Sequence, residues 1–125
     1  MNLPGIADEE FIRDKVPMTK EEIRILTMCK AKIRPDNIIW DIGAGTGSLS
    51  IEAALLASQG EVYAIEKKDL AVDLLHQNIA KFKLEGKVKV IATEAPKGLD
   101  DLPNCDVVII GGSGMHMFEI LDIID

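Results

Sequence analysis

An α/β fold built on a parallel sheet is what the sequence predicts, and three observations predict it. Short apolar runs at 38–41, 61–66, 87–91 and 106–110 read as strands. Helix-period segments follow the first two of them. A glycine loop joins the first strand to the helix behind it. Apolar strands alternating with helices belong to parallel sheets covered on both faces, with right-handed crossovers.

The first element is a helix over 20–33. Thr19 and Glu22 form a T-x-x-E capping box at its start. Ile25, Cys29 and Ile33, with Leu26 beside them, make its apolar face. Arg34-Pro35-Asp36 ends it, because the residue before a proline leaves the helical region. Residues 38–41 are the first strand, and residues 48–58, rich in alanine and leucine, the helix that Gly60 closes. Residues 61–66 (EVYAIE) are the second strand. Asp69 caps a helix whose Ala71, Leu74, Leu75, Ile79 and Phe82 share one face, closed by Gly86. Residues 87–91 are the third strand; DVVII at 106–110, apolar on both faces, is the fourth. Gly111 to Gly114 leads into a last helix with Ile120, Leu121, Ile123 and Ile124 on its apolar face. The chain reads as one domain over 1–125, an N-terminal segment and helix at 1–35 followed by βα units at 36–125.

Composition limits the function. The 125 residues are 47% hydrophobic and 28% charged, enough to build a core. The net charge of −7 repels phosphates, so no nucleic-acid partner is expected. The start carries no secretory pattern and no apolar run reaches membrane-spanning length, so no membrane partner is expected and a reducing cytoplasm is the default. Cys29 and Cys105 match no metal spacing and read as core thiols, and no metal site is expected.

The loop at 43–47 reads G-A-G-T-G. Strand, glycine loop and helix together aim backbone N–H groups at one ligand. The dinucleotide fingerprint is G-x-G-x-x-G, and its third glycine falls where Ser48 stands. Asp41, at the carboxyl end of the first strand, would repel a pyrophosphate and hold an ammonium group. The ligand is therefore nucleotide-like and cationic, and S-adenosylmethionine fits. Glu66, 23 residues after Gly43, stands where a carboxylate accepts both ribose hydroxyls. Nicotinamide dinucleotides are held by the same device, so Glu66 does not separate the two ligands. After the third strand, Glu94 and the backbone at Ala95 are placed to read the adenine edge.

DIGAGTG, with Glu66 and Glu94-Ala95, resembles the class I S-adenosylmethionine-dependent methyltransferases. DEEFIR, VPMTKEEIR, IIWDIGAGTGSLSIEAA, VYAIEK, TEAPKGL and IIGGSG in this order resemble, within that class, the decarboxylating cobalt-precorrin-6B (precorrin-6Y) C15-methyltransferases of the CbiT type. VPMTKEE and GGSG are the more specific pieces, and the resemblance covers essentially the whole chain. It implies a Rossmann-like sheet in the order 3-2-1-4 at this end, bound S-adenosylmethionine, and methylation of a corrin precursor at C15 with loss of carbon dioxide from the C12 acetate, in cobalamin biosynthesis. It implies cofactor contacts from Thr19, from Gly43, Ala44, Gly45, Thr46 and Gly47, from Glu66 and from Ala95. Three departures stand out: Thr93-Glu94-Ala95 replaces the usual Gly-Asp-Ala, Gly114-Met115 replaces a second Gly-Gly, and the family continues past the helix in which this chain stops.

Methyl transfer from a sulfonium needs alignment more than a strong base, so no catalytic acid or base is named. Arg13, Lys15, Lys20, Arg24 and Lys97 are the candidates for collecting the carboxylates of a tetrapyrrole. Gly112, Ser113, Gly114 and His116 are the candidates for the substrate mouth, although His116 reads more simply as a plain helix-start residue. His76 reads as solvated and Trp40 as core. An open fourth strand implies a homo-oligomer, cofactor binding that survives, and little or no turnover. A class I methyltransferase with another substrate, a nicotinamide oxidoreductase and an inactive cofactor-binding remnant are the competing readings.

Overall fold

The computed structural model describes residues 3–93, 99–111 and 118–122. After a 3-10 turn at Asp8–Glu10 come α1 (Glu21–Ala31), β1 (Ile38–Ile42), α2 (Ser48–Leu56), β2 (Glu61–Ile65), α3 (Asp69–Lys81), β3 (Val88–Ile91), β4 (Val107–Gly111) and β5 (Phe118–Asp122). They build one sheet in the order β3-β2-β1-β4-β5. Its first four strands are parallel and in the expected order, 3-2-1-4.

The fifth strand corrects the sequence reading. The sequence predicts a helix over residues 118–122, yet they pair antiparallel with β4, Ile109 opposite Ile120. A short apolar run suits either state, and the unpaired N–H and C=O groups of a β4 edge decide in favour of a strand. β4 is thus paired on both sides, with β1 and with β5, and is not the open edge expected of it. Ile123 and Ile124 lie outside the described residues.

Alternation along the strands puts Ile39, Val62, Ala64, Val88, Val107 and Ile109 on one sheet face. All six join a single core cluster with Met28 and Ala31 of α1, Ile51, Ala53 and Ala54 of α2, and Leu75 and Ile79 of α3. Trp40, Tyr63 and Val108 form a row on the opposite face, outside that cluster.

α1 departs from its predicted start and face. Lys20, not Thr19, occupies the N-cap, and no side chain caps it. The helix ends early, through a left-handed Lys32 with φ 51°. Its buried residues are Arg24, Thr27, Met28 and Ala31, while Leu26 is 53% exposed and Cys29 is exposed. The helix is turned because Arg24 is drawn inward by the buried Glu52, by Asp8 and by two backbone carbonyls, which outweighs the exposure of Leu26. In α3 the expected face is the buried one, with Asn78 added to it. Asp69 is its first helical residue rather than its cap, and the chain leaves through Lys83, φ 59°, ahead of Gly86. Cys105 is buried as expected.

Candidate functional site

Asp41 lies in the central strand between Ala64 of β2 and Ile109 of β4. It is 1% exposed. Ser50, in the first turn of α2, donates its hydroxyl to Asp41 Oδ2 at 2.5 Å. Burial raises the Asp41 carboxyl from an ordinary 3.8 to about 6; the Ser50 bond opposes this and the nearby Glu66 charge adds to it. Asp41 thus faces α2 rather than an open loop.

The loop behind it is held by backbone bonds. Gly43 and Ala44 donate N–H to the Ile65 carbonyl at 2.8 and 3.0 Å. Gly47 has φ 89°, and a Cβ there would stand 2.3 Å from Leu75 Cδ1, so α3 packs where a side chain would be. The Gly45 N–H donates to Glu66 Oε1 at 2.8 Å.

Glu66 is 8% exposed at the end of β2. Its Oε2 accepts the N–H groups of Lys67 and Lys68 at 3.1 and 3.0 Å. A carboxylate has about four acceptor positions, so these three bonds leave roughly one. Accepting both ribose hydroxyls, as the sequence suggested, requires a backbone donor to yield.

An N-terminal strap borders the loop. Glu52 of α2, 2% exposed, accepts the N–H groups of Gly5 and Ile6 and the Arg24 Nε. Arg24, 0% exposed, also pairs with Asp8 at 2.8 Å and donates to the carbonyls of Thr19 and Ile6. Pro17 O lies 3.9 Å from where a Cβ of Gly45 would stand, so the strap passes beside the glycine loop.

The fold therefore gathers Asp41, Gly43, Ala44, Gly45, Thr46, Gly47 and Glu66 at the carboxyl ends of β1 and β2, with half-buried Thr19 in the adjoining strap. Arg13, Lys15 and Lys20 are exposed. Arg24 is corrected: it is a buried anchor and not a surface collector of carboxylates, because Glu52, Asp8 and two carbonyls consume its donors. Glu94, Ala95, Lys97, Gly112, Ser113, Gly114 and His116 lie outside the described residues. His76 is exposed. Trp40 is half-buried, and its Nε1 is enclosed without a partner among the described residues.

Sequence reading missed Ser50, Glu52 and Asn78. Each is a polar side chain set among apolar helix positions, and that isolation was the available signal. In chemical terms the site offers paired buried carboxylates and a glycine loop whose central N–H is already taken. It attracts cations and hydroxyl donors and repels phosphate. No group of three or more His, Cys, Asp and Glu side chains among the described residues is arranged to hold a metal ion. No described helix is long and apolar enough to cross a membrane.

The family model described as the precorrin methyltransferase domain matches residues 9–124. The chain belongs to that family. The probable cobalt-precorrin-6B C(15)-methyltransferase (decarboxylating) of Sulfurisphaera tokodaii is 50% identical over 116 residues, covering 90% of this chain and 60% of that protein. The cobalt-precorrin-6B C(15)-methyltransferase (decarboxylating) of Salmonella typhimurium is 40% identical over 116 residues, covering 92% of this chain and 59% of that protein. The crystal structure of precorrin-6y C5,15-methyltransferase from Geobacter metallireducens superposes with a TM-score of 0.83 at 42% identity, covering 89% of this chain and 58% of that one. The sheet and its helices are thus those of the Rossmann-like class I methyltransferase fold. This precorrin methyltransferase domain spans about three fifths of the length of such relatives.

Proposed function

We propose that this chain binds S-adenosylmethionine and serves the C15-methylation of a corrin precursor, with decarboxylation of the C12 acetate, in cobalamin biosynthesis. The observation that carries the cofactor reading is the buried Asp41 at the end of β1, directly ahead of the glycine loop. A carboxylate there repels a pyrophosphate and suits an ammonium group, which argues against a nicotinamide dinucleotide; Glu66 serves the ribose of either ligand. The named activity of the 40–50% identical relatives supplies the substrate class.

In this reading Asp41 holds the ammonium of the methionine end, Glu66 the ribose, and the loop at 43–47 lies close against the ligand. When bound, the cofactor supplies an electrophilic methyl on a sulfonium. The chain's own contribution is to fix that ligand so that a macrocycle carbon meets the methyl in line at about 3 Å. Asp41 and Ser50 keep the ammonium end in place, and Glu66 keeps the ribose in place through its backbone bonds. Thr19, Glu94 and Ala95 complete the cofactor contacts. Arg13 and Lys15 on the strap receive substrate carboxylates, with 112–114 and His116 at the mouth. Self-association and a cytoplasmic setting belong to the same reading, and sedimentation of the purified chain checks the first.

Calorimetry with S-adenosylhomocysteine and with NADH tests the cofactor reading; tighter binding of NADH overturns it. Turnover of cobalt-precorrin-6B tests the substrate. Inertness toward it, together with methylation of some other acceptor, would favour a methyltransferase of different specificity. Charge reversal at Arg13 and Lys15 should weaken tetrapyrrole binding about tenfold and leave S-adenosylhomocysteine binding unchanged.

A further inference from the structure

Asn78 is fully buried in the otherwise apolar inner face of α3. A buried amide is costly unless every polar atom is satisfied, and this one is satisfied entirely by backbone from two distant segments. Its Oδ1 accepts the Ile12 N–H at 2.7 Å. Its Nδ2 donates to the Ile12 carbonyl and to the Thr46 carbonyl, each at 2.8 Å. The amide has one orientation, since a flip would set Nδ2 against an N–H and Oδ1 against two carbonyls.

The two segments matter to each other. Thr46 stands between the glycines whose N–H groups tie to Glu66 and Ala44. Ile12 leads into a tight turn in which Val16 N–H bonds the Arg13 carbonyl at 2.9 Å and Asp14 is left-handed, φ 46°. That turn exposes Arg13 and Lys15 and delivers Pro17 beside Gly45. Phe11, just before the joint, is buried against Phe82, ring centroids 5.2 Å apart. The strap therefore touches the glycine loop at Pro17 and is fastened to the same loop, through Asn78, at Ile12.

We infer that Asn78 is a positioning residue that locks the N-terminal strap to the cofactor loop, so that ligand held by the loop also holds the turn carrying Arg13 and Lys15. This rests on the cofactor reading above. It makes the basic turn part of the cofactor-bound state rather than a separate surface feature. Cofactor binding and presentation of the basic turn are then thermodynamically linked.

Trypsin reads the link at Arg13 and Lys15, its exposed targets in the turn between Ile12 and Pro17. The full chain is digested with and without saturating S-adenosylhomocysteine, and cleavage at these sites is timed. In the wild type the ligand should slow cleavage about tenfold or more. In Asn78→Ala the ligand should still bind, about tenfold more weakly, and at saturation should change cleavage by less than about twofold. A merely structural residue would speed cleavage equally with and without ligand, leaving the ratio as in the wild type. That result overturns the inference alone. Absence of binding by the wild type overturns the cofactor reading and this inference with it. Should Asn78→Ala not fold, Ile12→Pro removes the strap-side donor and leaves α3 and the loop untouched. Phe11, at φ −97° and ψ 142°, already has the backbone a residue before proline adopts. Ile12→Pro should also abolish the ligand's protection, and full protection in it refutes the link.

Discussion

Ser50 donates its hydroxyl to Asp41 Oδ2 at 2.5 Å and so ties the first turn of α2 to the end of the central strand. The carboxylate is enclosed, and burial is the larger effect: its pKa stands at about 6 despite the bond. Two consequences can be measured.

The first concerns stability. The folded pKa of about 6 lies above the ordinary 3.8, so Asp41 contributes stability that is fully present below 3.8 and lost as pH rises through 6. The size of that change is roughly 3 kcal/mol. The amide introduced by Asp41→Asn has no proton to lose. Urea unfolding of both proteins from pH 4 to 7.5 should show the variant gaining on the wild type by most of that amount, about 2.4 kcal/mol. Parallel curves would mean that Asp41 is not held as an enclosed acid.

The second concerns the ligand. An ammonium group needs the ionised carboxylate, so wild-type affinity for S-adenosylhomocysteine should fall about tenfold per pH unit well below 6. Asp41→Asn should bind roughly tenfold to a hundredfold more weakly at pH 7.5 and lose this pH dependence. Titration calorimetry at pH 5 and 7.5 checks both; equal affinities for the two proteins would remove Asp41 from the site.

Glu66→Ala should weaken adenosine and S-adenosylhomocysteine alike, by about tenfold or more, because the ribose is common to both. Glu66→Gln should be milder: its amide oxygen can keep the Gly45 N–H or the pair from Lys67 and Lys68, but not all three. Calorimetry with each ligand measures the losses. Loss confined to the intact cofactor would contradict a ribose role.

Arg24→Ala removes one side of a buried ion pair and leaves Glu52, 2% exposed, facing only the Gly5 and Ile6 N–H groups. The expected loss is about 3–5 kcal/mol. Arg24→Met combined with Glu52→Gln should recover part of it, since the uncompensated charge is gone. Chemical denaturation of Arg24→Met, of Glu52→Gln and of the double variant measures the coupling; strict additivity would show that the pair is not a unit.

What the sequence determined by itself was local. The strand-loop-helix order, the glycine spacing, the positions of Asp41 and Glu66 and the apolar face of α3 all follow from periodicity and turn chemistry, which act within a few residues. From these the fold class and the family could be read. The tertiary structure decided what depends on partners far along the chain. Arg24 turned inward because Glu52 and Asp8 meet it across the fold, against the surface role a lone arginine suggests. Residues 118–122 became a strand because β4 offered a ladder, which outweighs the weak preference of so short a run. Asp41 is a weak acid of pKa about 6 because the sheet and α2 exclude water from it, and burial is not a property of sequence position. Asn78 joins Ile12 to Thr46 across stretches of chain that no local pattern connects, since buried polar atoms take whichever backbone partners the packing brings to them.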